Sequence, residues 1–311
     1  MEICIHDLWN EYELIDCGNG RKLERFGEIT LIRPEITATG KPHLSEAQWK
    51  GMANAEFVET SKNSGRWDIF KPIPETWQMK YTSRSHKRPL SVSRREADGM
   101  STASQREETH ITAELSLTTS KHIGIFPEQV INWQFIERES ASYGHESFLN
   151  LFGYTGLSTV FASNFFVKAT HIDSIRKVVE WTRHNAENSG RNNIRLITED
   201  AQKFVEREIK RGNKYDGIIL DPPAIGSGAK NEKWIFDEMI ENLLTNVNLI
   251  AKDKSFIIMN LYSHSVYGME VRELLHKCFP HHNIEMCEEV KGVSQFGGKI
   301  SHGVFVWMKK I

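Results

Sequence analysis

The chain has 311 residues, enough for two domains or for one domain with a large appendage, and enough to bury a core without disulfides or a structural metal. Hydrophobic residues make up 39% and charged residues 26%, with 39 Lys and Arg against 41 Asp and Glu, for a formal charge of -2. That balance excludes a protein held to nucleic acid by bulk positive charge, and leaves room for a local basic patch.

The N-terminal stretch MEICIHDLWNEYEL lacks the basic start and apolar core of a signal peptide. No apolar run reaches the roughly 18 residues that cross a bilayer. A cytoplasmic protein with no membrane partner is expected. The cysteines at positions 4, 17, 278 and 287 form no CxxC pair, so they read as neither a disulfide framework nor a zinc site. His276, Cys278, His281, His282 and Cys287 crowd together without a ligand spacing, and no metal is expected there.

The first elements are β-rich. YELIDCGNGRKLERFGEITLIRP holds two apolar stretches around Gly18-Asn19-Gly20, a hairpin signal, and Pro34 ends the second. Ser45 reads as the N-cap of a short helix in EAQWKGMANAEFV. WDIFKPIPETWQMKY and HITAELSLTTSKHIGIF supply further strands. Between them, about residues 83 to 109, the chain is rich in Ser, Arg and Glu and has no period. Arg84, Lys87, Arg88, Arg94 and Arg95 are largely balanced by Glu96, Asp98, Glu107 and Glu108. This reads as a solvated, disordered insertion between two strands that would otherwise pair. Residues 1–140 are thus expected to form a small β-rich (α+β) domain carrying that insertion.

From Ser147 strands and helices alternate: SFLNLF, KATHID, IRLITED, YDGIILD and SFIIMNL are strands with helical segments between them. That spacing implies a parallel sheet covered by helices on both faces. NIEMCEEV and HGVFVWM have no helix between them and read as an antiparallel hairpin at one edge. Residues 141–311 are therefore expected to be a doubly wound α/β domain with a mostly parallel seven-stranded sheet.

Strand ends carry the chemistry, because ligands of such sheets bind at the carboxyl edge. Gly153 and Gly156 follow the first strand in LNLFGYTG, as G-x-x-G rather than the dinucleotide fingerprint G-x-G-x-x-G. Asp173 ends the second strand, placed either to accept hydrogen bonds from ribose hydroxyls or, with Ser174, to cap the next helix. Asp200 ends the third, again as a ligand contact or an N-cap. Asp221-Pro222-Pro223 ends the fourth, where two prolines make a rigid loop.

Together, LNLFGYTG, HID, TED and LDPP resemble motifs I to IV of class I S-adenosylmethionine-dependent methyltransferases. The nearest resemblance is to the bacterial 23S rRNA cytosine-5 methyltransferases and their relatives. GIFPEQVINW and LIDCGNGRKLERFG extend it over most of the chain outside the polar insertion. The resemblance implies a Rossmann-like methyltransferase sheet and S-adenosylmethionine as cofactor. Position by position, it implies that Phe152, Gly153, Thr155 and Gly156 wrap the methionine portion. Asp173, with Ser174 beside it, would hold the ribose, and Asp200 with Ala201 the adenine. Asp221, Pro222 and Pro223 would line the junction of methyl donor and acceptor as the catalytic residues. Phe126 and the PEQ after it would close over the cofactor.

The implied reaction is methyl transfer to a base of RNA, ribosomal RNA above all, with a small molecule or a protein as the alternative acceptor. If the acceptor is a nitrogen, Asp221 or a neighbouring carbonyl would take its N–H. The chain departs from the cytosine-5 enzymes in one place: MNLYSHSV has Ser263 and no cysteine where their nucleophile is expected. Cys278 and Cys287 read as structural. Lys230, Lys233, Lys291 and Lys299 are candidates for an RNA-holding patch.

Overall fold

The computed structural model describes residues 3–4, 9–61, 64–83, 109–142, 146–227, 233–262 and 269–310. All of the expected insertion except its end residues 83 and 109 lies outside these residues, as do Lys230 and Ser263.

The N-terminal sheet has five strands. Tyr12–Gly18 and Arg21–Phe26 form the expected hairpin, its turn made by Asn19 and Gly20 at φ 52° and 76°. Positive φ at both central residues matches the twist of a two-residue hairpin. Ile29–Pro34 continues the meander. The helix Glu46–Met52 then starts where expected: Ser45 accepts from the Gln48 backbone N–H, and Gln48 Oε1 accepts from the Ser45 N–H, a reciprocal capping box. It leads to Ala55–Ser61, parallel to Ile29–Pro34, and to Ser64–Ile69, antiparallel to that. Trp77–Thr82 and His110–Leu115 pair antiparallel, with Thr82 opposite His110, so the strands flanking the insertion do meet.

Labelled within the C-terminal part, the strands are β1 (Ser147–Leu151), β2 (Lys168–Asp173), β3 (Ile194–Thr198), β4 (Tyr215–Leu220), β5 (Ala251–Leu261), β6 (Asn283–Val293) and β7 (Lys299–Lys310). The helices are α1 (Val130–Ser140), α2 (Leu157–Ala162), α3 (Arg176–Asn188), α4 (Ala201–Arg211), α5 (Phe236–Ile250) and α6 (Met269–Cys278). The sheet order is β6-β7-β5-β4-β1-β2-β3. The first five strands are mutually parallel, and β7 runs antiparallel to both β5 and β6. Every residue of β4 is buried, as a central strand covered on both faces requires.

The closing hairpin stands at one side of the sheet as expected, with β7 beside β5 and β6 outside it. Two details differ from the sequence reading. Ile3–Cys4 adds an eighth, parallel strand beyond β6. Where a loop and a helix start were expected, Ile225–Ser227 and Lys233–Ile235 pair antiparallel, and α5 begins only at Phe236.

The reading also placed no helix at 130–140, yet α1 is there with nine of its eleven residues buried. It lies between the N-terminal strands and the parallel sheet. Trp133 is fully buried, with ring centroids 5.5 Å from Trp9, 5.1 Å from Tyr81 and 5.7 Å from Phe161 of α2. Phe135 stacks on Trp307 of β7 at 4.5 Å. Residues on both sides of position 140 therefore share one core. No helix among the described residues is long and apolar enough to cross a membrane.

Trp133→Ala removes the ring common to these contacts. It should lower unfolding stability by about 3–5 kcal/mol, the usual cost of such a truncation. Urea midpoints of the two proteins measure this.

Candidate functional site

The turn after β1 holds two of the three non-glycine residues with positive φ among the described residues. Phe152 and Tyr154 both lie in the left-handed region, at φ 56° and 51°, and Gly156 follows at 75°. A non-glycine residue there costs on the order of 1–3 kcal/mol and needs surroundings that enforce it. Those surroundings are visible. The Gly153 N–H donates to Ile172 O at 2.9 Å, and the Tyr154 N–H to Asp173 Oδ2 at 2.9 Å. Thr182 Oγ1 donates to Tyr154 O at 3.2 Å, and Asn185 Nδ2 to Thr155 O at 2.8 Å.

Beneath the turn, His171 is fully buried between Thr159 Oγ1 and Thr182 Oγ1, each 3.1 Å from a ring nitrogen. Burial lowers its pKa to about 3, so the ring is a neutral packing element. A Cβ on Gly153 would fall 2.4 Å from that ring, and one on Gly156 would fall 2.0 Å from Thr182 Cγ2. Both glycines are thus required by the floor under them, which the sequence alone does not reveal.

The acids at the next strand ends have separate local duties. Asp173 braces the turn through Tyr154, and its Oδ1 accepts from the Ile175 N–H at 2.9 Å; burial raises its pKa. Neither Asp173 nor Ser174 is the helix cap, which is Ile175 without a side-chain bond. Asp200 is a true N-cap, accepting from the Lys203 N–H at 3.0 Å, with Ala201 buried behind it.

Phe126 crosses from the N-terminal side and meets the Tyr154 ring edge-on at 5.3 Å. Thr155 Oγ1 donates to Gly124 O at 2.7 Å, fastening the same strap. Phe126, Phe152, Gly153, Thr155 and Asp221 line one small cleft. Gly156 sits in the turn beside it, while Asp173, Ser174, Asp200 and Ala201 are not among its lining residues.

At the end of β4, half-buried Asp221 is the centre of a polar network that runs into the core. Gln129 Nε2 donates to Asp221 Oδ2 at 3.0 Å, and Tyr262 OH donates to the same oxygen at 3.4 Å. Gln129 Oε1 accepts from Asn132 Nδ2, which also donates to Asn260 Oδ1, each at 2.9 Å. Burial first, and then the negative charge of Glu128, push the Asp221 pKa up to about 8. The two prolines act differently: Pro222 is buried, and Pro223 is exposed with its carbonyl accepting from Trp234 Nε1 at 2.6 Å. They shape the loop and do not line the cleft. Gln129 and Tyr262 were not singled out as Asp221 partners in the sequence, because they lie 92 and 41 positions from it.

A second, larger cavity of about 500 Å³ lies beside the cleft, between the N-terminal sheet and the β5–β7 end of the large sheet. It shares Ile125 and Phe126 with the cleft. Cys17, Cys278 and Cys287 are buried, and burial raises each thiol, that of Cys17 to about 11. Nucleophilic cysteines need the opposite shift. Among the described residues no three His, Cys, Asp or Glu side chains gather as a metal-binding set. Of the candidate RNA contacts, Lys291 Nζ is 3.3 Å from Glu289, and Lys233 is exposed.

No protein-family profile matches the chain. A crystal structure of a SAM-dependent methyltransferase from Agrobacterium tumefaciens aligns over 100% of this chain and 93% of that one, with 26% identity and a TM-score of 0.81. A methyltransferase solved in complex with S-adenosylhomocysteine (SAH) aligns over 97% of this chain and 76% of its own, with 15% identity and a TM-score of 0.70. Among sequence relatives, Ribosomal RNA large subunit methyltransferase K of Neisseria meningitidis is 23% identical over 159 residues, covering 46% of this chain and 45% of that one. An RNA methyltransferase of Thermotoga maritima is 29% identical over 131 residues, covering 41% and 29%. The chain spans less than half the length of these two relatives. It has the class I S-adenosylmethionine-dependent methyltransferase fold, with rRNA methyltransferases among its relatives.

Two outcomes follow from the geometry. Gly156→Ala should cost more than about 1 kcal/mol, since alanine there meets both a positive φ and Thr182. Thermal melts check it, and an unchanged Tm contradicts it. Asp221 holds its proton when folded up to about pH 8 and loses it near pH 4 when unfolded. Its raised pKa therefore favours folding below about pH 4, and that advantage is lost as pH rises to about 8. Asp221→Asn should accordingly gain in Tm relative to the parent between pH 4.5 and pH 8.5; a constant difference refutes the shift.

Proposed function

We propose that the chain is an S-adenosylmethionine-dependent methyltransferase whose acceptor is a base of RNA. The observation that carries this reading is the meeting of two features at neighbouring strand ends. The left-handed glycine turn after β1 and the half-buried Asp221 after β4 face one cleft, with Phe126 across it.

The residues present suit this cofactor. Gly153 keeps the turn seated on His171 while lining the cleft itself. Carboxylates stand at the ends of β2 and β3 for ribose and adenine. A cation beside Asp221 would favour its ionised form, which burial now opposes. When bound, S-adenosylmethionine supplies a methyl group on a sulfonium that is already electrophilic, so the protein's work is alignment.

The turn from Phe152 to Gly156 holds the methionine portion, Asp173 the ribose hydroxyls, and Asp200 with Ala201 the adenine. Phe126 and Phe152 exclude water from the cleft. Gln129 and Tyr262 use two of the roughly four acceptor positions of the Asp221 carboxylate, so capacity remains for an acceptor N–H. As the anion, Asp221 draws that proton and orients the lone pair. The raised thiols favour a nitrogen acceptor over a route through a cysteine adduct. The relatives named for ribosomal RNA support RNA as the substrate class.

With labelled cofactor and an unmodified large-subunit rRNA transcript, label is expected in RNA. Label only in a small-molecule or protein fraction overturns the acceptor. Asp221→Asn should lower kcat by about 10²- to 10⁴-fold, the range of a lost general base, while SAH still binds. The parent kcat/KM should climb with pH to a plateau above about 8, where free Asp221 is ionised. A profile flat from pH 6 to 9 removes Asp221 from that role.

A further inference from the structure

We propose that the 500 Å³ cavity is the acceptor pocket, that it receives one base extruded from the RNA chain, and that Glu128 meets the edge of that base. This rests on the chain being an RNA methyltransferase. The cavity touches the cleft at Ile125 and Phe126, and Tyr262 lines it while bonding Asp221. A group seated there lies against the proton acceptor. The volume is that of an ordinary small-ligand pocket, which admits a nucleoside and not a duplex. A base must leave its stack to enter.

The lining has polar groups that the fold leaves unused. Glu128 is only 4% exposed, and its carboxyl has no hydrogen bond among the described residues. His302 Nδ1 stands 3.7 Å from Glu128 Oε2, too far for a good hydrogen bond. His302 is 7% exposed, and its unpartnered Nε2 is enclosed beside Gly292, which does not line the cavity, so Glu128 is the group left to meet a ligand. Buried polar groups without partners are costly and rare, and they persist where something else satisfies them. Neither side chain belongs to the hydrogen-bond network that orients Asp221. A base edge with an N–H donor completes Glu128.

Other walls suit the rest of a nucleotide. His122 and Phe126, with ring centroids 5.2 Å apart, offer flat faces, and burial lowers the His122 pKa to about 4, leaving its ring uncharged. Lys22 and Arg33 are tied to Glu24 and Glu35, whereas among the described residues Lys121 Nζ reaches only the Pro34 carbonyl, at 3.5 Å. Lys121 is therefore placed for a phosphate flanking the base.

The test compares the full-length parent with Glu128→Gln and with Ile36→Trp, a rim change at a 75% exposed position that leaves the core untouched. SAH binding is read by calorimetry, and methyl transfer by label in the large-subunit rRNA transcript. Both variants are expected to bind SAH within about twofold of the parent and to lose about tenfold or more in kcat/KM, the effect of one lost hydrogen bond or a blocked entrance. Variants that label RNA like the parent overturn the pocket alone. Variants that lose SAH binding overturn it too, because the residues then serve the cofactor. A parent that binds SAH yet labels no RNA overturns the RNA reading, and the pocket with it.

Discussion

The burial of α1 on nearly every side is the constraint on which the site depends. A helix whose Trp133 touches Trp9, Tyr81 and Phe161 cannot shift without opening the core between the N-terminal strands and the parallel sheet. That fixity passes to its first turn. Gln129 and Glu128 lie just before the helix, and Asn132 lies within it. Asp221 is therefore oriented from the N-terminal part of the chain, while β4 supplies only its backbone position. Apolar packing sets the place, and a short relay of amide side chains sets the angle.

The cleft is held together at the expense of stability. Two non-glycine residues sit in left-handed backbone, and a carboxyl is buried where ionisation is unfavourable. Glu128 lacks a donor altogether among the described residues. Such features concentrate where a ligand supplies what the fold withholds. His171 shows the contrasting case: it is equally buried, but both its ring nitrogens have threonine partners, so it serves as floor.

Local pattern made much of this legible. The 3.6 and 2 periodicities and the strand-end residues gave the alternating architecture, the glycine turn and Asp221, because each depends on neighbours within a few positions. The hairpin at Asn19-Gly20 and the capping box at Ser45 were readable for the same reason. What stayed hidden depends on distance in sequence. Tyr262 and His302 join the site, and Gln129 of the PEQ segment meets Asp221, through tertiary contacts that no window of the chain contains. The helix α1 escaped because burial on all sides, with Glu137 and Glu139 enclosed, erases the amphipathic stripe. The three-residue strands at Ile225–Ser227 and Lys233–Ile235 are too short to show a period. Asp173 and Asp200 looked alike as possible caps, and only the backbone after each decided that one is a cap and the other is not.

The pairing of Thr82 with His110 has a consequence for how this chain can vary. One rung of that ladder closes the stretch of chain between them. Closing a longer or shorter stretch changes the loop entropy only with the logarithm of its length. Its length can therefore change at small entropic cost while Trp77–Thr82 and His110–Leu115 keep their register.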